Sequence, residues 1–186
     1  MRIIAGELRG LKLLPVAGNT IRPTADKTRE AIFSILGSKT HGAWILDLFA
    51  GTGAMGLEAL SRGASFACLV DTDPGALTLI KKNIEKCRMG ARTKIFRQDA
   101  LHGLRNLLPA CGCLGFDMVF MDPPYEKDIV GKALENLHAC HCLKNGSLVV
   151  CEHHQKETPS FDSQIFSLND MRHYGKTLVS FFTYVL

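Results

Sequence analysis

No apolar run in this 186-residue chain approaches the roughly 18 residues that a bilayer-spanning helix needs, so no membrane partner is expected. The opening stretch Met1-Arg2-Ile3-Ile4-Ala5-Gly6-Glu7 lacks the apolar core of a secretion signal, and the expectation is a cytoplasmic protein. Disulfide and zinc frameworks are poorly served as well. The seven cysteines are odd in number, and none stands in a Cys-x-x-Cys pair. Cys68 and Cys151 lie in apolar, strand-like runs, where cysteine packs as a small hydrophobe. His138, Cys140, His141 and Cys142 invite a metal reading, with Cys111 and Cys113 as further thiols. Their interleaved spacing does not match the usual zinc ligand sets, so no metal is expected and the cluster stays without a role. Internal repeats and low-complexity linkers are also missing.

What is present is ordinary globular composition, 46% apolar and 22% charged, with length for one domain and a small appendage. The net charge of +4 is modest but unevenly placed. Residues 1–30 hold six basic residues (Arg2, Arg9, Lys12, Arg22, Lys27, Arg29) against three acids, and so supply +3 of it. A basic end beside a near-neutral body points to a polyanion contacted by one region.

In chain order, residues 2–5 and 11–14 predict two short strands of a hairpin around Gly6 and Gly10. Arg22-Pro23-Thr24 leads into a helix with Thr24 as N-cap and one apolar face, ended by Gly37, leaving Lys27 and Arg29 free to reach a ligand. From residue 43 buried strands alternate with helices: strands at 44–49, 66–70, 93–96, 116–121 and 147–151, and helices at 54–62, 74–86, 99–108 and near 127–139. Pro109 is expected to end the third of these helices, and Asn145-Gly146 to turn into the fifth strand. Such alternation implies a parallel sheet covered on both faces. The segments 164–168 and 177–186 are strand-like, and the eight residues between them are too few for a crossover helix, so an antiparallel hairpin should close the sheet.

The most informative stretch is Phe116 to Tyr125. An apolar strand runs into Asp122, Pro123, Pro124 and Tyr125, and the prolines forbid the ladder from continuing. The result is a stiff shelf with one carboxylate, the Pro123 carbonyl and an aromatic face. That suits a planar group bearing an NH2: two acceptors for its hydrogens and a ring to stack on.

A second pattern lies where the first strand becomes the first helix. Gly51 and Gly53 allow close approach to the backbone, and the helix start offers free N–H groups. Gly51-x-Gly53-x-x-Gly56, with Asp71 twenty residues beyond Gly51, also satisfies the dinucleotide fingerprint. Asp47, just upstream, would repel a phosphate but attract a sulfonium or an ammonium. Asp71, with Asp73 nearby, ends the second strand and suits ribose hydroxyls. Asp99 follows the third strand and suits an adenine amine. Acids after four successive strands fall on one edge of the sheet, where open α/β sheets bind ligands.

Asp47-x-Phe49-x-Gly51-x-Gly53, an acid after strand two and Asp122-Pro123-Pro124-Tyr125 after strand four resemble the class I S-adenosylmethionine-dependent methyltransferases of exocyclic amines. More narrowly, Arg2-Ile3-Ile4-Ala5-Gly6, Arg9-Gly10, Arg22-Pro23-Thr24-x-Asp26-x-x-Arg29-Glu30, Asp47 to Gly53 and Tyr174-Gly175 resemble the RsmD family, over nearly the whole chain. Asp71 stands where many members carry Glu, and either suits ribose. The resemblance implies a Rossmann-like α/β fold, with a mostly parallel seven-stranded sheet and a C-terminal hairpin. It implies an N-terminal RNA-contacting extension over 1–37 and a methyltransferase domain over 38–186. It further implies methylation of guanine N2 in 16S ribosomal RNA, at the position conventionally numbered 966. The partner is the small ribosomal subunit or an assembly intermediate, and the enzyme a monomer. The implied catalytic set is Asp122, Pro123, Pro124 and Tyr125. The cofactor set is Asp47, Phe49, Gly51, Gly53, Asp71, Asp99, Ala100 and Asp122, and the RNA set Arg2, Arg9, Lys12, Arg22, Thr24 and Arg29.

Other readings stay open on the residues alone. The Asp-Pro-Pro-Tyr chemistry also serves adenine N6 or a protein glutamine amide. The glycine motif taken alone permits a nicotinamide-dependent oxidoreductase, and a non-catalytic RNA-binding module would leave Asp122 to Tyr125 without a purpose.

Overall fold

The computed structural model describes residues 1–16, 23–124 and 128–186, with side chains in the first helix from Asp26 onward. Expectations for Arg22, for the Thr24 side chain and for Tyr125 lie outside the described residues. In chain order the elements are α1 (Pro23–Leu36), β1 (Trp44–Leu48), α2 (Ala54–Ser61), β2 (Phe66–Asp71), α3 (Pro74–Cys87) and β3 (Thr93–Arg97). There follow α4 (Leu107–Cys111), β4 (Phe116–Met121), α5 (Ile129–Ala139), β5 (Leu143–His154), β6 (Phe166–Tyr174) and β7 (Thr177–Tyr184).

The strands form a seven-stranded sheet in the order β3-β2-β1-β4-β5-β7-β6. β1 to β5 run parallel, and β7 enters antiparallel between β5 and β6, so the hairpin closes the sheet as expected. Strand alternation divides the core into two layers. Ile45, Phe120 and Val150 face a layer holding Ile32, Phe33, Leu57 and Leu60 from α1 and α2. Leu46, Val119, Met121 and Cys151 face the opposite layer, with Leu134 and Leu137 of α5. Full burial of a side chain such as Leu57 or Leu60 is worth roughly 1.5–3 kcal/mol.

Local chemistry sets the boundaries. Gly53, at φ 76°, precedes α2 in a left-handed conformation that only glycine adopts freely. The Asp73 carboxylate accepts from the Ala76 N–H at 2.7 Å and caps α3, with Pro74 at its first position.

Three expectations change in detail. Pro109 does not end a helix over 99–108; after a tight turn at Leu104–Asn106 it sits in the first turn of α4, where a missing N–H is no loss. Asn145-Gly146 is no turn before the fifth strand but lies inside β5, at an irregularity where the pairing with β4 shifts register. There the Ser147 hydroxyl donates to the Phe116 carbonyl at 2.7 Å.

The N-terminal hairpin shrinks to a single antiparallel bridge between Arg2 and Lys12. The reason is a competing partner: the Ile4 and Ala5 N–H groups donate to the Glu58 carboxylate of α2 at 2.7 and 3.0 Å. Leu8 N–H donates to the Ser61 hydroxyl, and Ile3 and Leu13 pack into the same core layer as Ile45.

Candidate active site

The carboxyl ends of β1, β4 and β5 surround a cavity of about 220 Å³. Asp47, Phe49 and Gly51 line it from β1 and the following loop, Asp122 from directly after β4, Glu152 from β5 and Arg29 from α1. Parallel register explains the grouping. Asp47 pairs with Phe120 and Phe120 with Val150, so every second residue along this edge faces one layer.

Asp47 is almost fully buried, and its Oδ2 accepts from the Gly56 N–H in the first turn of α2 at 2.9 Å. Burial, the dominant cause, pushes its carboxyl up to about 8; Gly56 opposes this, while the charges of Asp122 and Asp71 add to it. A side chain at Gly56 would put its Cβ 3.3 Å from that carboxylate and as close to Leu69, so glycine lets α2 seat on the sheet. Asp71 closes the loop between them: it accepts from Gly51 N–H at 2.8 Å and from Asp73 N–H at 2.9 Å. Each of its oxygens keeps further acceptor capacity.

Asp122 is exposed at the cavity mouth, yet the surrounding protein strips enough water from its carboxyl to lift it to about 6. Pro123 is buried behind it and Pro124 exposed; both line a smaller cavity shared with Asp128 and Pro159.

The remaining cofactor candidates lie away from this cavity. Asp99 accepts from Leu101 N–H and pairs with His102, which hold its carboxyl below the usual range. The Ala100 carbonyl accepts from the Asn136 amide in the opposite core layer.

Arg2, Arg9 and Lys12 are exposed, as an RNA contact requires. Arg29 is not. Expected on an open face, it is only 3% exposed: its Nη2 donates to the Arg2 carbonyl at 2.6 Å and to Asp26 at 3.0 Å. Its Nε lies 3.7 Å from the buried Glu58, and no partner satisfies that N–H. Helix periodicity put Arg29 off the apolar face; the N-terminal segment then folded over it.

Two acids escaped the sequence reading. Glu58 had no strand-end signal, being a helix residue whose partners, besides Arg62 one turn on, come from the distant N-terminus. Glu152 did have one: it follows an apolar strand directly, as Asp71 and Asp122 do. The His/Cys stretch is used in packing, with His138 against the Tyr184 hydroxyl at 3.0 Å and Cys142 buried. Among the described residues no three His, Cys, Asp or Glu side chains are grouped to hold a metal.

Comparison with known proteins agrees with this geometry. "Ribosomal RNA small subunit methyltransferase D" of Haemophilus influenzae is 31% identical over 169 residues, covering 90% of this chain and 86% of the relative. The Escherichia coli K12 protein of the same name is 33% identical over 152 residues, covering 82% and 74%. Among solved structures, the yhhF protein of Escherichia coli superposes with a TM-score of 0.84 at 30% identity, over 100% of this chain and 98% of that one. A hypothetical protein of Thermus thermophilus, TTHA0928, gives 0.77 at 30% identity, over 97% and 98%. The family described as conserved hypothetical protein 95 matches residues 1–183, and this chain belongs to it, the RsmD family.

Proposed function

We propose that this protein transfers a methyl group from S-adenosylmethionine to the exocyclic N2 of a guanine in 16S ribosomal RNA. The observation that carries the reading is that Asp122 and the Asp47–Gly51 loop line one cavity. The amine acceptor and the donor loop therefore meet at the end of β4. Relatives named small subunit methyltransferases support the choice of RNA.

The residues present fit the donor. Two acids, Asp47 and Asp71, suit a sulfonium or ammonium better than a phosphate at this loop, the Asp47 carboxyl ionising as the cation arrives. Gly51, at φ 55°, leaves its backbone open: among the described residues a Cβ there would meet only the Phe49 carbonyl, at 3.8 Å. Asp47, Phe49, Gly51, Gly53 and Asp122 would hold the amino acid end, Asp71 the ribose, and Asp99 with Ala100 the adenine. When bound, S-adenosylmethionine supplies an electrophilic methyl group on a sulfonium.

The chain's own residues do the rest. The guanine N2 lone pair is delocalised into the ring and is a poor nucleophile. Ionised Asp122 and the Pro123 carbonyl accept the two N2 hydrogens, letting the nitrogen pyramidalise and aim its lone pair outward. Pro124 stiffens the shelf and Tyr125 stacks on the base, which must leave any helix to enter. The amine becomes acidic only as it is alkylated, so no strong base is required beforehand. Much of the barrier reduction is orientation. RNA is gripped by residues 1–37 through Arg2, Arg9, Lys12, Arg22 and Thr24, with Arg29 shaping the wall between that extension and the 38–186 catalytic domain.

The test is methylation of small subunits from a strain lacking the enzyme, with the product identified by mass spectrometry. A single N2-methylguanine is expected; methylation of adenine N6 or of a glutamine amide would overturn the reading.

A further inference from the structure

We propose that Glu152 selects guanine by pairing with its N1–H and O6 while Asp122 holds N2; this rests on the guanine-N2 reading above. The last paired residues of β4 and β5 are Met121 and Cys151. Asp122 and Glu152 are each one residue further on, in neighbouring parallel strands roughly 4.8 Å apart. Both line the cavity, as do Phe120 and Val150 two residues earlier. The two carboxyl groups therefore stand side by side on one face, and glutamate reaches one methylene further from the sheet.

The charge balance of the cavity decides which hydrogen bonds Glu152 can make. Asp47, Asp122 and Glu152 all border it, and Arg29 is the only cationic side chain among its described lining residues. That guanidinium is already engaged by the Arg2 carbonyl and Asp26. Three carboxylates cannot share such a space, so protons are retained, and burial favours Asp47 and Glu152 as the acids that hold them. Burial, then the charge of Asp122, push Glu152 up to about 8, with Arg29 offsetting part of the effect. A protonated carboxyl offers a C=O acceptor and an O–H donor next to each other. The cyclic amide edge of guanine offers the complement, N1–H and O6, directly beside N2. Adenine with its amine at Asp122 presents an unprotonated N1 instead and has no such pair.

Glutamine at position 152 reproduces the acceptor–donor pair of the neutral acid, whereas alanine removes both. The experiment compares kcat/KM for target RNA carrying guanine with the same RNA carrying 2-aminopurine, which keeps the 2-amine but lacks N1–H and O6. Folding and donor-site integrity are followed through thermal stabilisation by S-adenosylhomocysteine. The guanine preference should fall roughly 10- to 100-fold in Glu152→Ala and survive in Glu152→Gln. If wild type prefers guanine and Glu152→Ala keeps that preference, Glu152 merely packs against Arg29 and the proposal fails alone. If wild type methylates no guanine N2, both this proposal and the function it rests on fall together.

Discussion

A β-carbon on Gly6 would lie 1.7 Å from the Ser61 carbonyl oxygen at the end of α2. Gly6 also has φ 83°, and the next residue, Glu7, donates its N–H to that same carbonyl at 2.8 Å. The N-terminal segment is thus pressed backbone to backbone against the helix that opens at the glycine loop. The obstacle is main chain, which cannot swing aside. Gly6→Ala should cost roughly 2–4 kcal/mol, combining overpacking with a left-handed alanine. Thermal melting, together with hydrogen exchange at the Ile4 and Ala5 amides, measures it. An unchanged melting point with protected amides would contradict the contact.

Asp122 makes a prediction about rate. Its replacement by alanine should leave folding intact, weaken donor binding through the lost contact at its amino acid end and, at saturating donor, slow methyl transfer by roughly 10²–10³, the usual cost of losing one preorganised polar group. As an ionised acceptor with its carboxyl lifted to about 6, Asp122 should also give the wild-type pH–rate profile a limb near pH 6, rising with pH. Single-turnover rates across that range test both statements. A pH-independent rate between 5 and 7 would argue that Asp122 is not the ionised acceptor.

Asp47 makes the opposite kind of prediction, about stability. Its carboxyl is raised from 3.8 to about 8 in the ligand-free fold, so the native state binds a proton that the unfolded chain has released. Where the native state holds more protons, stability falls as pH rises. Its contribution should therefore be fully present below about pH 4, decline through pH 4–8 and level off above. Asp47→Asn keeps an acceptor for Gly56 N–H without the ionisation. It should flatten this decline in denaturant titrations while weakening S-adenosylhomocysteine binding. An equally steep decline in the variant would mean that another group is responsible.

The alternation of strands and helices, the C-terminal hairpin and the line of acids at one edge were legible because each rests on local pattern. Apolar runs of strand length alternate with helical periodicity, and acids follow the runs directly. Pro109 and Asn145-Gly146 misled because punctuation residues have two uses. A proline can sit in a helix's first turn as well as after its end, and Asn-Gly can irregularise a strand as well as turn it. Arg29 and Glu58 were illegible for a different reason. Each has one local partner, Asp26 or Arg62, but the groups that cover them, the Arg2 carbonyl and the Ile4 and Ala5 amides, lie more than twenty positions away, beyond any window of sequence. Glu152 lies one residue beyond the apolar run that marks the fifth strand, and the strand itself continues past it to His154.

Burial of Arg29 reshapes the RNA prediction. Arg2, Arg9 and Lys12 are exposed, and Arg2, Arg9 and Lys27 border a groove of about 470 Å³ that also carries Asp26 and Glu30. A phosphate backbone can reach these side chains, whereas Arg29 is consumed by internal partners. The Arg9 and Lys12 side chains stand outside both core layers, so replacing both with glutamine should leave melting and cofactor affinity unchanged. RNA binding should weaken, and the slope of log K against log salt should drop by roughly 1.4–1.8 if both contact phosphate, since each phosphate neutralised contributes about 0.7–0.9. Arg29→Gln should behave in the reverse way, destabilising the fold with the salt slope unaltered. Salt titrations of both variants decide the matter. A lowered slope in Arg29→Gln alone would return that residue to the RNA surface and remove Arg9 and Lys12 from it.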